Sequence, residues 1–315
     1  FAKRMKACRV LVNTPSAQGG IGDLYNDMLP SLTLGCGSYG HNSISHNVST
    51  IDLLNVKTLT KRRNNMQWVK LPSKIYFEKN SVNYLEKMAD LHKVFIVADQ
   101  GMVDLGYVQI VEDVLARRTD QVQVQVFADV EPDPSTDTIY KGAEVMKRFK
   151  PDTIVAIGGG SVMDAAKGMW LFYDSEDADF FGAKQKFLDI RKRTYKFPNL
   201  DRTKLICIPT TSGTGSEVTP FAVITDSETH IKYPLADYAL TPDVAIVDSQ
   251  FIESVPPRVV AHTGMDVLCH ATESYVSAMA SNYTKGLSLQ AIKLVFDNLQ
   301  ASYAGDKTAK ANMHD

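Results

Sequence analysis

The most regular pattern along this chain of 315 residues is an alternation of short apolar runs with amphipathic stretches from Lys74 onward. The apolar runs predict strands, with a short edge strand first and a buried strand second: Lys74–Phe77, Val94–Ala98, Val122–Phe127, Thr153–Ile157 and Leu205–Ile208. The amphipathic stretches predict helices at Val108–Arg118, Thr136–Phe149 and Val162–Tyr173. Strands that alternate with helices indicate a parallel sheet with helices on both faces.

The pattern changes on either side of this region. Beyond it, Pro256–Tyr275 and Thr284–Leu299 predict consecutive helices with no strand between them. Ahead of it, Cys8–Asn13 predicts a strand, but the following stretch is so rich in Gly, Ser and Asn that it cannot build its own core. We therefore expect an α/β fold, with a Rossmann-like parallel sheet domain followed by the beginning of an all-helical domain. The expected segments are 1–50, the tail of a larger domain; 51–70, a polar and basic linker; 71–253, the α/β domain; and 254–315, the start of the helical domain.

Composition and charge narrow the class of protein. A net charge of −2 and a pI near 6.4 argue against a nucleic-acid-binding or membrane-surface protein. No apolar run approaches the ~20 residues that span a bilayer, and no apolar segment follows the basic start, so no signal peptide is predicted. The four cysteines are scattered without a C-x-x-C pair. They predict reduced thiols and a cytoplasmic location.

A glycine-rich turn, Gly158-Gly159-Gly160-Ser161, lies between a predicted strand and a predicted helix. Glycines let the backbone approach a phosphate, and the amides at a helix start hold negative charge. We expect Ser161 to cap the helix and to donate to a phosphate oxygen. The turn lacks the G-K-[ST] ending of a Walker A loop and is not G-x-G-x-x-G. A purely structural tight turn is the alternative, and the preceding buried strand favours phosphate binding.

Three further polar features have both a ligand-binding interpretation and a purely structural one. The hydroxyl-rich loop Thr210–Pro220 follows a predicted strand, where α/β sheets bind ligands, or it is an ordinary Ser/Thr-rich loop. Asp99 ends a strand, where a carboxylate accepts from a ribose hydroxyl, or it caps a helix. Lys232 neutralises a phosphate, or it is simply an exposed lysine.

Asp266 and His270 are four residues apart in a predicted helix, so both side chains lie on one face. A carboxylate and an imidazole at this spacing can bind one divalent metal ion, whereas the alternative is a polar pair on a solvated helix face. The mostly apolar flanks, such as Met265 and Leu268, predict that the helix is buried on more than one side, and buried charges need partners or a metal. A catalytic metal needs at least three protein ligands, and the sequence offers no convincing third.

Three separated motifs resemble those of the iron-dependent (group III) alcohol dehydrogenases. They are the glycine turn with Asp164, the loop Pro209–Glu217 and the segment Gly264–Glu273. The resemblance covers roughly residues 71–315. Earlier and intervening segments, Val10–Asn26, Leu32–Ser38 and Asp189–Arg193, resemble the bifunctional aldehyde–alcohol dehydrogenases, in which an acylating aldehyde dehydrogenase is fused ahead of the iron enzyme.

The resemblance implies NAD and Fe(II) as cofactors. It places Asp99 at the adenosine ribose and Asp133 on a neighbouring cofactor loop. The positions that it matches to the pyrophosphate turn are Gly158, Gly159, Gly160, Ser161 and Val162. The positions that it matches to further NAD contacts are Thr210, Thr211, Val223, Lys232 and Phe251. Asp266 and His270 match two of four iron ligands.

The resemblance also implies that the other two ligands and a proton-relaying histidine lie beyond Asp315. The aldehyde dehydrogenase nucleophile would lie before Phe1, and neither Cys8 nor Cys36 stands in its motif. We therefore expect the chain to be part of a longer enzyme that reduces a short aldehyde, acetaldehyde above all, with NADH. Its partners would be a small aldehyde or alcohol and, through the full-length protein, further copies in a homo-oligomer or filament. The alternative is a non-catalytic segment of a filament-forming assembly.

Overall fold

The computed structural model describes residues 69–175, 177–185 and 195–315, together with the backbone of two strands nearer the N-terminus. The chain divides into two compact units, Phe1–Trp68 and Val69–Asp315. Each unit is described by itself. The glycine-rich segments of the first unit, the family-like segments Leu32–Ser38 and Asp189–Arg193, and the cysteines Cys8 and Cys36 lie outside the described residues.

The first unit contains strand β1, Arg9–Val12, paired in parallel with strand β2, Thr58–Lys61. The first strand was predicted from the sequence. The second lies inside the segment 51–70 that was predicted as a linker, and this prediction is wrong for Thr58–Lys61. The basic residues around it concealed a Thr-Leu-Thr run, whose β-branched residues favour a strand.

The second unit is built on one sheet of six parallel strands, in the order β3-β10-β7-β6-β4-β5. Their bounds are β3 Lys74–Phe77, β4 Lys93–Val97, β5 Gln123–Phe127, β6 Thr153–Gly158, β7 Lys204–Pro209 and β10 Val244–Val247. An antiparallel hairpin, β8 Phe221–Thr225 and β9 Lys232–Ala236, stands apart from this sheet. The predicted parallel sheet is confirmed, with β3 at its edge; the hairpin was not predicted.

Helices pack on the sheet, and after β10 the described elements are all helical. Their bounds are α1 Tyr84–Lys87, α2 Gln100–Asp104, α3 Tyr107–Ala116, α4 Thr136–Phe149, α5 Gly160–Asp174, α6 Phe180–Ala183, α7 Pro257–Val276, α8 Asn282–Tyr303 and α9 Lys307–His314. Local sequence sets the starts of several helices. The Ser135 side chain accepts a hydrogen bond from Thr138 N at the start of α4, and Ser281 with Thr284 forms a capping box at α8.

The central strands are buried on both faces, and each face has its own apolar core. Along β4, Val94 and Ile96 face the core that includes α3, whereas Phe95 and Val97 face the core that includes α4 and α5. This division follows from the two-residue period of a strand. Helix α5 is almost entirely buried, with Trp170 at 1% exposure, so its N-terminus is held rigidly against the sheet.

Helix α7 is less buried than its sequence predicts. Only Val260, Gly264 and Ala271 are buried, whereas Met265 and Cys269 are exposed. The buried stripe faces α8, and a Cβ on Gly264 would collide with Leu299. The prediction of burial on more than one side is therefore wrong for α7 as described here. Among the described helices, none is long and apolar enough to cross a membrane.

Candidate functional site

The order of strands creates a crevice at the carboxyl edge of the sheet. From β4 the chain moves outward to β5, and from β6 it moves outward in the opposite direction to β7. Strands β4 and β6 are adjacent, so the two helical connections diverge above them. Such a switch point is where open α/β sheets bind ligands. Asp99 follows β4, the glycine turn follows β6, and Thr210 and Thr211 follow β7.

The glycine turn and the hydroxyl-rich loop are in direct contact at this edge. Thr210 N donates to Gly158 O at 3.0 Å. Helix α5 begins at Gly160 with Gly159 as its N-cap residue and without a side-chain cap. The first amides of a helix have no partner within it, and they carry the positive end of the helix dipole. The turn therefore presents the chemistry that a phosphate needs.

The three glycines of the turn are glycines for different reasons. A Cβ on Gly158 would lie 2.5 Å from Val162 Cγ2, and one on Gly160 would lie 2.8 Å from Thr214 Cγ2. A Cβ on Gly159 would lie 3.5 Å from Thr211 Cγ2, an ordinary contact. Packing within the protein thus explains the first and third glycines. At Gly159 the protein leaves room for a side chain, which is the position to expect where a ligand approaches the backbone.

Ser161 does not cap α5, contrary to the prediction. The helix starts at Gly160, two residues before the predicted start at Val162, so Ser161 lies within its first turn. Its hydroxyl instead accepts a hydrogen bond from Asp133 N at 3.2 Å. Ser161 therefore ties the glycine turn to the loop after β5.

Asp133 and Lys232, both predicted to contact NAD, are paired with each other. Their Oδ2 and Nζ atoms are 2.7 Å apart, and both side chains are more than half exposed. Asp133 has a left-handed backbone, with φ of 56°. The pair links the loop after β5 to the start of β9, and Lys232 brings less free charge to the crevice than its sequence position suggested.

Asp99 caps helix α2, because its Oδ1 accepts from Met102 N at 3.1 Å. The plainer of its two interpretations is thus realised in the structure. A single accepted hydrogen bond leaves a half-buried carboxylate with further lone pairs, so the cap does not conflict with a role at a ribose.

Two predicted contacts have side chains that cannot face the crevice. Phe251 has no exposed surface and packs edge to face on Tyr107, with ring centroids 5.1 Å apart. Its side chain belongs to the core around α3, so the prediction that it contacts NAD is wrong for the side chain. Val162 is 1% exposed and fills the space beside Gly158; only its backbone can take part in the turn.

Beneath the crevice lies a polar cluster that the sequence analysis only touched. Asp164 Oδ1 accepts from Ser216 Oγ at 2.7 Å, and its Oδ2 accepts from Val223 N at 2.9 Å. Burial raises the pKa of Asp164, and the charge of Lys167 opposes that shift. The sequence analysis did not identify Lys167 as part of the site. A lysine in the otherwise apolar run Ala165–Leu171 was the available signal, since a charge in a buried helix needs partners.

Asp266 and His270 form a pair on one face of α7. Asp266 Oδ1 and His270 Nε2 are 3.6 Å apart, and both side chains are about half exposed. A carboxylate and an imidazole suit iron(II), zinc or manganese, so the donor types fit the implied metal. In the described part of the chain no group of three or more His, Cys, Asp or Glu side chains could hold a metal ion. The pair therefore offers two donors of the right chemical type, fewer than the three protein ligands that a catalytic metal needs.

Comparisons with known proteins agree with this geometry. The sequence model described as iron-containing alcohol dehydrogenase matches residues 72–249, and that of the C-terminal region of the Fe-containing alcohol dehydrogenase family matches residues 260–315. Aldehyde-alcohol dehydrogenase 2 of Entamoeba histolytica is 61% identical over 315 residues, which are 100% of this chain and 36% of that protein. The chain thus spans about a third of the length of this curated relative.

Solved structures resemble the second unit. The iron-containing alcohol dehydrogenase of Thermococcus thioreducens aligns with a TM-score of 0.71 and 33% identity, covering 79% of this chain and 64% of that one. Sulfoacetaldehyde reductase of Bifidobacterium kashiwanohense, solved in complex with NAD+, aligns with a TM-score of 0.69 and 31% identity, covering 79% and 65%.

Proposed function

This chain belongs to the iron-containing alcohol dehydrogenase family, and from that premise we propose that it reduces a short-chain aldehyde, acetaldehyde above all, with NADH. We propose further that it does so at an Fe(II) site, as part of a fermentative bifunctional aldehyde–alcohol dehydrogenase. The family resemblance found in its three motifs is confirmed by the matching models.

One observation carries the NAD part of the proposal. At the switch point of the sheet, Gly159 faces Thr211 with room for a side chain that the sequence does not use. A dinucleotide diphosphate at the start of α5 explains that unused space, because a backbone without Cβ can approach it closely. Asp99 follows the neighbouring strand β4, a position from which a carboxylate accepts from an adenosine ribose hydroxyl.

The metal part of the proposal rests on Asp266 and His270. Divalent iron, when bound, supplies a Lewis acid for a carbonyl or alkoxide oxygen. The chain contributes one carboxylate and one imidazole at adjacent turns of α7. The cofactor turn lies in the α/β part and this donor pair lies in the helical part, so the two sites are built by separate elements.

The test is NAD-dependent oxidation of ethanol by the whole polypeptide that contains this sequence. We expect Asp266→Ala or His270→Ala to lower alcohol oxidation by several orders of magnitude and to remove bound iron, because either change takes away a metal ligand. NADH affinity should change less than twofold. The alternative, a non-catalytic segment of an assembly, predicts that neither variant alters any alcohol oxidation.

A matched control is available on the next helix. Asp297 also forms an exposed i,i+4 pair, with Lys293 at 2.9 Å. Asp297→Ala removes a similar carboxylate from a similar helix, and it should leave both iron content and alcohol oxidation unchanged. Equal losses in Asp266→Ala and Asp297→Ala would contradict the metal assignment.

A further inference from the structure

Lys167 is fully buried in the middle of α5, and neutral oxygens surround its ammonium group. Its Nζ donates to the carbonyl oxygens of Ser216 at 2.7 Å, Thr219 at 2.8 Å and Phe221 at 2.7 Å. Ser216 Oγ lies 3.0 Å away as a fourth acceptor. An ammonium group has three donors, so all of them are used. Burying a charge without partners is costly, and these carbonyls offset that cost.

A second residue of α5 also binds the segment Ser216–Val223. Asp164, three residues before Lys167, accepts from Ser216 Oγ and from Val223 N. Residues three apart lie on one helix face. One face of α5 thus binds the end of the hydroxyl-rich loop and the first residues of β8.

This loop also lies against the glycine turn. Thr214 fills the space beside Gly160, and Thr211 lies beside Gly159. Near its middle, Gly215 has a left-handed φ of 64°, which glycine adopts without steric cost. Without the ammonium group, three carbonyl oxygens would converge on an empty space and repel one another.

We propose that Lys167 is a positioning residue that holds the loop Thr210–Pro220 at the distance from the glycine turn that NAD requires. The inference deepens the proposed function and rests on it. Lys167 acts through the loop and does not itself touch the cofactor, because its side chain has no exposed surface.

The chain provides a matched control lysine. Lys310 is also buried, at 7% exposure, and its Nζ donates to the carbonyl oxygens of Glu253 at 2.8 Å and Val255 at 2.9 Å. Those carbonyls belong to the segment between β10 and α7 and not to the loop Thr210–Pro220. Lys167→Met and Lys310→Met therefore make the same chemical change at two carbonyl clusters, of which only one holds the cofactor loop.

In the whole polypeptide, we expect Lys167→Met to raise the KM for NAD in alcohol oxidation at least tenfold, with the KM for ethanol changed less than twofold. Amide hydrogen exchange of residues 212–223 should accelerate at least tenfold in the same variant. Lys310→Met should leave both quantities within twofold of the wild type. An unchanged KM for NAD and unchanged exchange in Lys167→Met, or equal changes in both variants, would overturn the inference.

Lys167→Met can fail to fold, and the wild-type protein can lack alcohol oxidation with NAD; each outcome has its own decisive measurement. If Lys167→Met does not fold, Lys167→Gln decides, because its amide N–H groups can bond at most two of the oxygens that the ammonium group holds; at least a threefold rise in the KM for NAD and in the exchange rate is expected, and no change in either overturns the inference. If the wild-type protein oxidises no alcohol with NAD, the proposed function fails. The exchange measurement then still decides whether Lys167 holds the loop.

Discussion

At the scale of single residues, the three glycines of the turn are constrained by different neighbours. Three consecutive glycines look alike in a sequence. The structure shows that Val162 forces the first to be glycine and Thr214 forces the third, whereas nothing in the protein forces Gly159. Asp99 shows the opposite case, in which one side chain satisfies a helix cap and remains suited to a ligand.

Gly159→Ala therefore tests cofactor approach without disturbing the fold. Because the new Cβ makes only an ordinary contact with Thr211, the melting temperature should stay near that of the wild type. The KM for NADH should rise about tenfold, or ~1.4 kcal/mol. Gly158→Ala is the contrasting variant, since its clash with Val162 should cost about 1–3 kcal/mol of stability. Normal NADH affinity in a well-folded Gly159→Ala protein would argue against a diphosphate at this turn.

Asp99→Ser tests the choice of NAD over NADP. Serine keeps the N-cap of α2 but removes the charge that repels a 2′-phosphate. The ratio of kcat/KM for NAD to that for NADP should fall about tenfold, ~1.4 kcal/mol, with stability retained. Asp104→Ser, which removes an exposed carboxylate from the same helix, should leave the ratio unchanged. An unaltered ratio of the two kcat/KM values in Asp99→Ser would contradict the assignment of Asp99 to the ribose.

At the scale of elements, His314 of α9 forms a hydrogen bond with the cofactor loop. His314 Nδ1 lies 3.0 Å from Ser212 Oγ, and the ring nitrogen Nε2 is buried. Burial lowers the pKa of His314 to about 4, against the opposing charge of Asp248. The contact between the helical part and the loop therefore depends on a neutral imidazole.

This contact should weaken in acid. Between pH 6.5, the ordinary pKa of histidine, and pH 4 the unfolded chain binds a proton that the folded chain does not. Stability should therefore fall as the pH drops through this window, by up to about 3 kcal/mol. Denaturant unfolding of wild type and His314→Gln between pH 7 and 4 measures it, with the exposed His262→Gln as control. A constant difference between wild type and His314→Gln across this range would contradict the interpretation.

At the scale of the whole molecule, the sequence predicted the sheet and the family but missed features that depend on distant partners. Buried strands such as Thr153–Gly158 contain an uninterrupted apolar run, so their existence can be predicted from the local sequence. The hairpin β8–β9 is half exposed and contains Pro234, which disguises it. The burial of Phe251 and the four oxygens around Lys167 come from residues far away in sequence, and no local pattern reports them.

The pairing of the edge strand β3 with β10 has a consequence for synthesis. The Ser73 side chain bonds Asp243 O, 170 residues away, and within the described sheet β3 pairs with β10 alone. At ~5–20 residues per second, a ribosome needs roughly 10 to 30 s to add that length. During this interval β3, which includes Ile75 and Phe77, has been synthesised but its partner strand β10 has not. Synonymous codons that slow translation between these strands should lengthen the time for which a chaperone can bind this segment.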